Sequence, residues 1–412
     1  MDIEKRKFKW TIWCLNRRKN GKTYSEMVVV CLLMFIFSCS GYAQSDKKRV
    51  VVAAEQPKSY LPMIGSKVIA VVANPTSMVG KSHLVDTLLQ LGVQIAAVFA
   101  PEHGFRGQAE AGESVSSGFD SKTGLKIVSL YGDHKKPSMD DLTGVELVVF
   151  DIQDVGVRFY TYISTLQYVM EACARKKIPV LVLDRPNPHG NYIDGPVLKD
   201  KFKSFVGMQN IPVIHGLTVA EYALMLNGEY LLEDSLQCEL KYVKVENWNH
   251  SLDYQLPVAP SPNLPNDMSI RLYPSLCLFE GTAVSIGRGT SLPFQCYGYP
   301  GNKSGKFCFT PKSIPGKSKQ PLYENKKCYG YKLTSVFKTK RPDSLHLEWL
   351  IDAWKNYPDK QKFFNSFFEK LAGNNELQKQ IESGMSEQEI RLTWQTDLDK
   401  YRIVREKYLL YK

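Results

Sequence analysis

The chain has 412 residues, of which 43% are hydrophobic and 23% are charged, and its formal charge at pH 7 is +11. These values lie near the average for globular proteins, so they exclude the disordered and fibrous classes. The length leaves room for two domains of ordinary size. Residues 1–43 hold eight Lys or Arg against three Asp or Glu, so part of the positive charge is concentrated at the N-terminus. No stripe of basic and aromatic residues follows, and we therefore expect no nucleic-acid partner.

The first predicted element, residues 1–43, is typical of an export signal. A basic stretch over residues 5–22 precedes an apolar run over residues 27–37, and small residues extend to Ala43. The apolar run is too short to span a bilayer, which takes about 20 residues. Cleavage after Ala43 and lipid attachment at Cys39 both fit this pattern. We expect an exported protein, either periplasmic or lipid-anchored at the cell envelope, with no other membrane contact.

Residues 48–256 are predicted to form a Rossmann-like α/β domain with a mostly parallel sheet. Short β-branched runs alternate with helical patterns, and the runs are apolar throughout, as in strands buried on both faces between helix layers. The predicted strands are 67–73, 93–100, 126–130, 146–150, 178–183 and 240–245, and the predicted helices are 82–91, 161–175 and one from Thr218. Thr218 and Glu221 have the spacing of a capping box.

Residues 266–412 are predicted to form a smaller α+β domain. The preceding segment 257–265 contains four prolines and is typical of a connector. Beyond it the chain is rich in Gly, Ser and aromatic residues up to Pro300, and short strands are expected over 307–338. Helices are predicted at 345–357 and 361–372 and from Ser386, where Ser386 and Glu389 repeat the capping-box spacing.

Several sequence motifs are absent, and their absence argues against the classes of reaction and ligand that depend on them. The chain has no dinucleotide-binding, P-loop or nucleophile-elbow motif, and no metal-ligand spacing of the HExxH kind. It also has no Cys-X-X-Cys pair, which argues against a zinc or redox site. We therefore expect no cofactor and no metal. Disulfides among Cys277, Cys296, Cys308 and Cys328 are compatible with an oxidising compartment.

Polar side chains follow four consecutive predicted strands. They lie in the segments 74–77, 101–107, 151–160 and 184–190. Each segment alone can be a capped turn. Because ligands of open α/β sheets bind outside the carboxyl ends of the strands, the four segments together favour a functional site.

The carboxylates in these segments suit cleavage of a glycosidic bond, in which a carboxylic acid protonates the leaving oxygen. We select Glu102 as the general acid, although it can also be a turn residue paired with Arg106. Asp151 and Asp154 compete for the second catalytic role, and either can instead cap the following helix. The candidate substrate-binding residues are His103, Arg158, Tyr160, Asp184, Arg185, Asn187, Glu280 and Arg288.

Arg288 is a candidate of the second domain at which a ligand can approach the backbone closely. It lies between Gly287 and Gly289, which permits a bidentate grip on a carboxylate. It can equally serve to pair with Glu280. If both domains contribute, the site lies in the cleft between them.

The chain resembles a known family, the exo-β-N-acetylmuramidases of the NamZ type, because it contains several of the sequence motifs of that family in the same order. The resemblance covers nearly everything after about residue 60. The strings are 74–77, 101–107, 151–162, 184–195, 215–218, 272–274, 279–282 and 287–290.

The resemblance implies an enzyme that removes β-linked N-acetylmuramic acid (MurNAc) from the non-reducing end of cell-wall glycan fragments. It also implies a cleft site in which a glutamate corresponds to Glu102. The lactyl carboxylate of MurNAc would then bind Arg158, Arg185 or Arg288. Two alternatives stay open: an exported module that binds cell-wall glycan without turnover, and a metal-assisted hydrolase.

Overall fold

The computed structural model describes residues 48–102, 104–106 and 117–412. The expected export signal, residues 1–43, and the candidate His103 therefore lie outside the described residues. Within the described part of the chain, each helix is too short or too polar to cross a bilayer.

The described elements follow the predicted alternation of strands and helices in the N-terminal half. The strands are β1 (Ile69–Ala73), β2 (Met78–Val79), β3 (Ser82–His83), β4 (Ile95–Ala100), β5 (Gly118–Phe119), β6 (Lys126–Ser129), β7 (Leu147–Asp151), β8 (Val180–Leu183), β9 (Leu240–Val243), β10 (Cys296–Tyr299), β11 (Phe307–Phe309) and β12 (Cys328–Lys332). The α-helices are α1 (Pro57–Ile64), α2 (Leu84–Gln90), α3 (Tyr162–Lys176), α4 (Val219–Gly228), α5 (Asp267–Leu276), α6 (Glu348–Asn356), α7 (Phe368–Ala372), α8 (Glu376–Glu382), α9 (Glu387–Thr393) and α10 (Gln395–Glu406).

A seven-stranded sheet with the order β5-β6-β4-β1-β7-β8-β9 forms the centre of the N-terminal half. Neighbouring strands are parallel except for the edge pair of β5 and β6. Counted along the chain, the six parallel strands follow the order 3-2-1-4-5-6, which is that of a Rossmann fold. The predicted fold class is confirmed. In this order the strand sequence reverses between β1 and β7, where such folds bind their ligands.

The continuous apolar runs of the strands are explained by burial on both faces. In β1, Ile69, Val71 and Ala73 belong to one hydrophobic cluster, whereas Ala70 and Val72 belong to another on the opposite face. Burying one aliphatic side chain of this kind contributes roughly 1.5–3 kcal/mol. The sheet is therefore held between two apolar layers, as the runs predicted.

The C-terminal half combines a small antiparallel sheet of order β10-β12-β11 with helices α6 to α10. The capping boxes predicted at Thr218 and Ser386 both form. Helix α5 was not predicted, and Pro274 lies inside it, close to its end. The predicted helix 361–372 is reduced to the short α7, and α8 follows without having been expected.

One hydrophobic cluster joins the two halves. It contains Leu166 of α3 together with Tyr273, Leu350 and Trp394 from the C-terminal elements. The C-terminal half is therefore packed against the same layer that covers the sheet. The six cysteines from Cys173 to Cys328 carry free thiols, so the disulfides considered from the sequence do not form in this structure.

Candidate active site

Glu102 lies at the carboxyl edge of the sheet, in the turn that follows β4, where two hydroxyl groups hold its carboxyl group. Tyr131, which follows β6, donates a hydrogen bond from Oη to Glu102 Oε1 at 3.0 Å. Thr161, directly before α3, donates from Oγ1 to Glu102 Oε2 at 3.3 Å. Arg106, considered above as a salt-bridge partner of Glu102, pairs with Asp86 and Asp120. Two neutral donors, from the segments after two other strands, thus contact the carboxyl group.

Glu102 lines a cavity of about 700 Å³ between the two halves of the chain. The N-terminal half also contributes Tyr131, Tyr160, Thr161, Tyr162 and Phe205, and the C-terminal half contributes Tyr273, Cys277, Glu280, Arg288, Phe294 and residues 317–320. Four of the candidates from the sequence therefore share this cavity: Glu102, Tyr160, Glu280 and Arg288. Tyr160 donates from Oη to the carbonyl oxygen of Pro260 at 2.8 Å.

Glu280 and Arg288 form an ion pair in the cavity wall. Arg288 Nε donates to Glu280 Oε1 at 2.6 Å, and each side chain is 25% exposed. The thiol of Cys277 lies 3.6 Å from Glu280 Oε2 and donates to it. Arg288 therefore pairs with Glu280, which was the alternative considered from the sequence. This pair uses only the Nε edge of the guanidinium. Among the described residues, Nη1 and Nη2 of Arg288 have no hydrogen-bond partner.

The loop that carries Arg288 is fixed by its two flanking glycines. Gly287 and Gly289 have φ values of +79° and +76°. A Cβ atom would lie 2.5 Å from the Leu292 carbonyl oxygen at the first position and 2.5 Å from the Lys312 carbonyl oxygen at the second. Only glycine tolerates both the conformation and the close approach. The guanidinium, whose Cζ lies 5.0 Å from the centre of the Phe294 ring, is consequently held in place.

Asp151 and Arg185 pair with each other and do not line the cavity. Arg185 donates from Nε to Asp151 Oδ1 at 2.6 Å and from Nη2 to Oδ2 at 2.9 Å. Both side chains are at most 3% exposed. A buried bidentate pair of this kind ties β7 to the loop after β8, so both residues act in the scaffold.

Asp154, the other candidate for the second catalytic role, also lies outside the cavity lining. Its Oδ1 accepts a hydrogen bond from the Gly156 backbone at 2.6 Å. Burial raises the pKa of Asp154 to about 7. The side chain therefore shapes the turn before α3 and is placed away from a substrate in the cavity.

Arg158, Asp184 and Asn187 are buried as well and have protein partners. The guanidinium of Arg158 donates to backbone carbonyl oxygens of both halves. Asp184 accepts from the Ala220 backbone at 3.0 Å and from Tyr411 Oη at 2.6 Å. Asn187 donates to the Leu217 carbonyl oxygen at 2.9 Å. These three residues are absent from the cavity lining, which places them in the framework around the site.

Sequence reasoning missed the residues that hold Glu102 and the loop that lines the C-terminal wall. Tyr131 follows a predicted strand, so the rule used at the other strand exits would have selected it. Thr161 directly follows the candidate segment 151–160. Residues 317–320 belong to the connection between β11 and β12 and carry no comparable signal. Among the described residues, no group of three or more His, Cys, Asp or Glu is arranged to hold a metal ion.

Two family models together match most of the chain. The model described as "Exo-beta-N-acetylmuramidase NamZ, N-terminal" matches residues 69–268, and the corresponding C-terminal model matches residues 271–411. This chain belongs to the NamZ family. A NamZ protein from Bacillus subtilis (strain 168), described as peptidoglycan beta-N-acetylmuramidase NamZ, is 37% identical over 409 residues, which cover 92% of this chain and 97% of the relative.

Two solved structures from Bacteroides fragilis NCTC 9343 have the same fold as this NamZ-family chain. Both are described as DUF1343 family proteins. The first is 45% identical, has a TM-score of 0.81 and covers 89% of this chain and 99% of its own. The second is 30% identical, has a TM-score of 0.78 and covers 88% of this chain and 99% of its own. The arrangement of sheet and C-terminal half is therefore shared by experimentally determined relatives.

The buried Asp154 generates a prediction about stability and pH. Its pKa is about 7 in the folded state, whereas the ordinary pKa of an aspartate side chain is 3.8. Between these values the unfolded chain loses the proton and the folded chain keeps it, so this residue lowers the free energy of unfolding as pH rises from about 4 to about 7. We expect Asp154→Asn to gain stability relative to the parent over that range, measured as urea midpoints at several pH values. The urea midpoints of the exposed Asp140→Asn variant should change with pH as those of the parent do. If the midpoints of Asp154→Asn and of the parent had the same pH dependence, the raised pKa would not belong to Asp154.

Proposed function

We propose that this protein is an exo-acting glycoside hydrolase that releases non-reducing terminal β-linked MurNAc from peptidoglycan fragments, with Glu102 as the general acid. The 37% identity to a peptidoglycan beta-N-acetylmuramidase over 92% of the chain supports the activity. The observation that carries the assignment of the site is the single cavity that Glu102, Glu280 and Arg288 line together.

Glu102 delivers the proton to the glycosidic oxygen. The hydroxyl groups of Tyr131 and Thr161 keep its carboxyl group directed at one place in the cavity wall. A hydroxyl group can donate to a carboxylate and accept from a carboxylic acid, so this pair supports the group before and after proton transfer. General acid catalysis of this kind contributes roughly 10²–10⁴-fold to a rate.

Glu280 is the second carboxylate of the mechanism. Among the described residues, Glu102 and Glu280 are the carboxylates that line the cavity. A carboxylate facing the sugar stabilises the positive charge that develops on the ring carbon or directs the attacking group. The ion pair with Arg288 and the thiol of Cys277 fix the orientation of Glu280.

Arg288 binds the lactyl carboxylate that distinguishes MurNAc from N-acetylglucosamine. Of the three arginines considered from the sequence, Arg158 and Arg185 are buried on protein partners, whereas Arg288 lines the cavity. Its Nη1 and Nη2 atoms offer the two parallel donors that a carboxylate accepts in bidentate geometry.

The protein is exported, and its mature form begins near Ala43 or at a lipid-modified Cys39. The basic stretch 5–22, the apolar run 27–37 and the small residues after it support this proposal. Mass spectrometry of the protein recovered from cell envelopes should find a first residue at Gln44 or an acylated Cys39. Recovery of an intact Met1 form from the cytoplasm would contradict export.

Replacing the general acid should abolish most of the activity. For Glu102→Gln we expect a fall in kcat of at least about a hundredfold on a MurNAc–GlcNAc disaccharide, because the amide cannot supply the proton. The measurement is release of free MurNAc by the purified mature protein. Glu406→Gln, a surface variant, should retain parental activity.

The alternatives give different results in the same assay. Equal release by parent and Glu102→Gln would move the acid role to another residue, and no release by either, with saturable binding, would favour a glycan-binding module. Loss of activity in a chelator, restored by a divalent ion, would favour a metal-assisted hydrolase.

Replacing Arg288 should change the choice of substrate. For Arg288→Met we expect kcat/KM to fall about 10–100-fold on muramic substrates, the scale of a lost charge-assisted pair. The fall on the matching N-acetylglucosaminide should be much smaller, because that sugar has no lactyl group. Arg402→Met on the surface serves as the control. Equal losses on both sugars would show that Arg288 acts through Glu280 and not on the carboxylate.

A further inference from the structure

A second cavity of about 600 Å³ shares a wall with the cavity that holds Glu102. Phe205 lines the first cavity and Tyr168 lines the second. Their rings stack with centres 5.9 Å apart and planes inclined by 16°. The proposed mechanism does not use the second cavity.

Two segments of the chain lead from Glu102 into the second cavity. Thr161 and Tyr162 line the first cavity at the start of α3, and Tyr168 lines the second, six residues after Tyr162. Six helical residues rise about 9 Å, which is close to the length of a disaccharide. In the other segment, Tyr131 contacts Glu102, and Lys135 lines the second cavity at most about 14 Å further along the backbone.

The aromatic side chains at the shared wall are accessible. Every residue of α3 from Tyr162 to Cys173 is buried except Tyr168, which is half-buried, as is Phe205. One face of the Tyr168 ring stacks on Phe205, and Lys136 Nζ lies 5.7 Å from the ring centre. The part of this aromatic pair that stays exposed gives a surface on which the C–H faces of sugars pack.

The second cavity is lined by two lysines, Lys135 and Lys136, and by three carboxylates, Asp133, Glu171 and Glu233. Lys136 is paired with Glu171 at 2.8 Å and with Glu233 at 2.6 Å. Lys135 donates to the carbonyl oxygen of Gly132, and its Nζ lies 5.5 Å from the centre of the Phe205 ring. Among the described residues, no carboxylate is paired with Lys135. Its ammonium group is thus available to an anionic ligand that reaches the aromatic wall.

We propose that this second cavity binds the glycan beyond the scissile linkage, so that the enzyme has an extended site for longer peptidoglycan strands. The inference rests on the proposed muramidase function. Phe205 and Tyr168 pack against the sugars that follow the first glycosidic bond. Lys135 pairs with the lactyl carboxylate of the next MurNAc along the strand, the third sugar from the non-reducing end. The carboxylate at the non-reducing end stays with Arg288.

The test compares a MurNAc–GlcNAc disaccharide with the peptide-free tetrasaccharide made of two such units. The parent should hydrolyse the tetrasaccharide with a higher kcat/KM than the disaccharide. Tyr168→Ala and Lys135→Ala should each lower the tetrasaccharide value roughly tenfold and leave the disaccharide value within about twofold. Tyr230→Ala and Lys58→Ala, which change exposed residues outside both cavities, are the matched controls. Equal losses on both substrates, or no loss on either, would overturn the extended site.

Binding to the Glu102→Gln protein tests the same proposal without turnover. Calorimetry should show the tetrasaccharide binding more tightly than the disaccharide, and Tyr168→Ala or Lys135→Ala in that background should remove the difference. Equal affinities in the Glu102→Gln protein would overturn the extended site. If the parent releases no MurNAc from either substrate, the muramidase proposal fails, and the binding comparison still decides whether the second cavity holds glycan.

Discussion

The buried guanidinium of Arg158 fixes how the two halves of the molecule meet. Its Nη1 donates to the carbonyl oxygens of Pro196 at 2.9 Å and Ile211 at 2.8 Å in the N-terminal half. Its Nη2 donates to those of Leu371 and Ala372, both at 2.9 Å, in α7. A fully buried charge is costly unless fixed dipoles surround it, and the four carbonyl groups supply them. Displacing α7 would leave both the charge and the carbonyl groups unsatisfied, so the arrangement has little freedom.

This constraint reaches the cavity that Glu102 lines through α7. Leu371 lines the cavity itself, and a Cβ atom at Gly373 would lie 2.6 Å from Arg158 Nη2. At the other end of α7, a Cβ atom at Gly281 would lie 2.4 Å from the Cα atom of Phe368. Gly281 directly follows Glu280. The distance between Glu102 on one half and the Glu280–Arg288 pair on the other therefore depends on Arg158, which contacts none of these three residues.

The sequence predicted the sheet well because each strand is buried on both faces, which leaves a continuous apolar run such as Val68–Ala73. It predicted the C-terminal half less well because local signals there conflict with the packing. Pro274 indicates a helix boundary, yet it lies within the last turn of α5, where the chain passes into a short 3-10 helix over Cys277–Gly281. Helices α7 and α8 are too short for a periodic pattern to define them.

The strand-exit rule selected residues that line the cavity together with residues buried outside it, and it did not separate the two groups. Asp151 is the last residue of β7 and is fully buried, where it pairs with Arg185. Glu102 lies in the turn beyond β4, where the C-terminal half leaves a cavity. In the sequence, both carboxylates simply follow an apolar strand. The residues that surround each of them come from distant segments, so the sequence does not show that one is covered and the other is not. Asp151 is paired with a buried guanidinium, whereas the carboxyl group of Glu102 accepts hydrogen bonds from the hydroxyl groups of Tyr131 and Thr161 and lines the cavity. A ligand in the cavity can therefore reach Glu102, whereas Asp151 is covered by the protein itself.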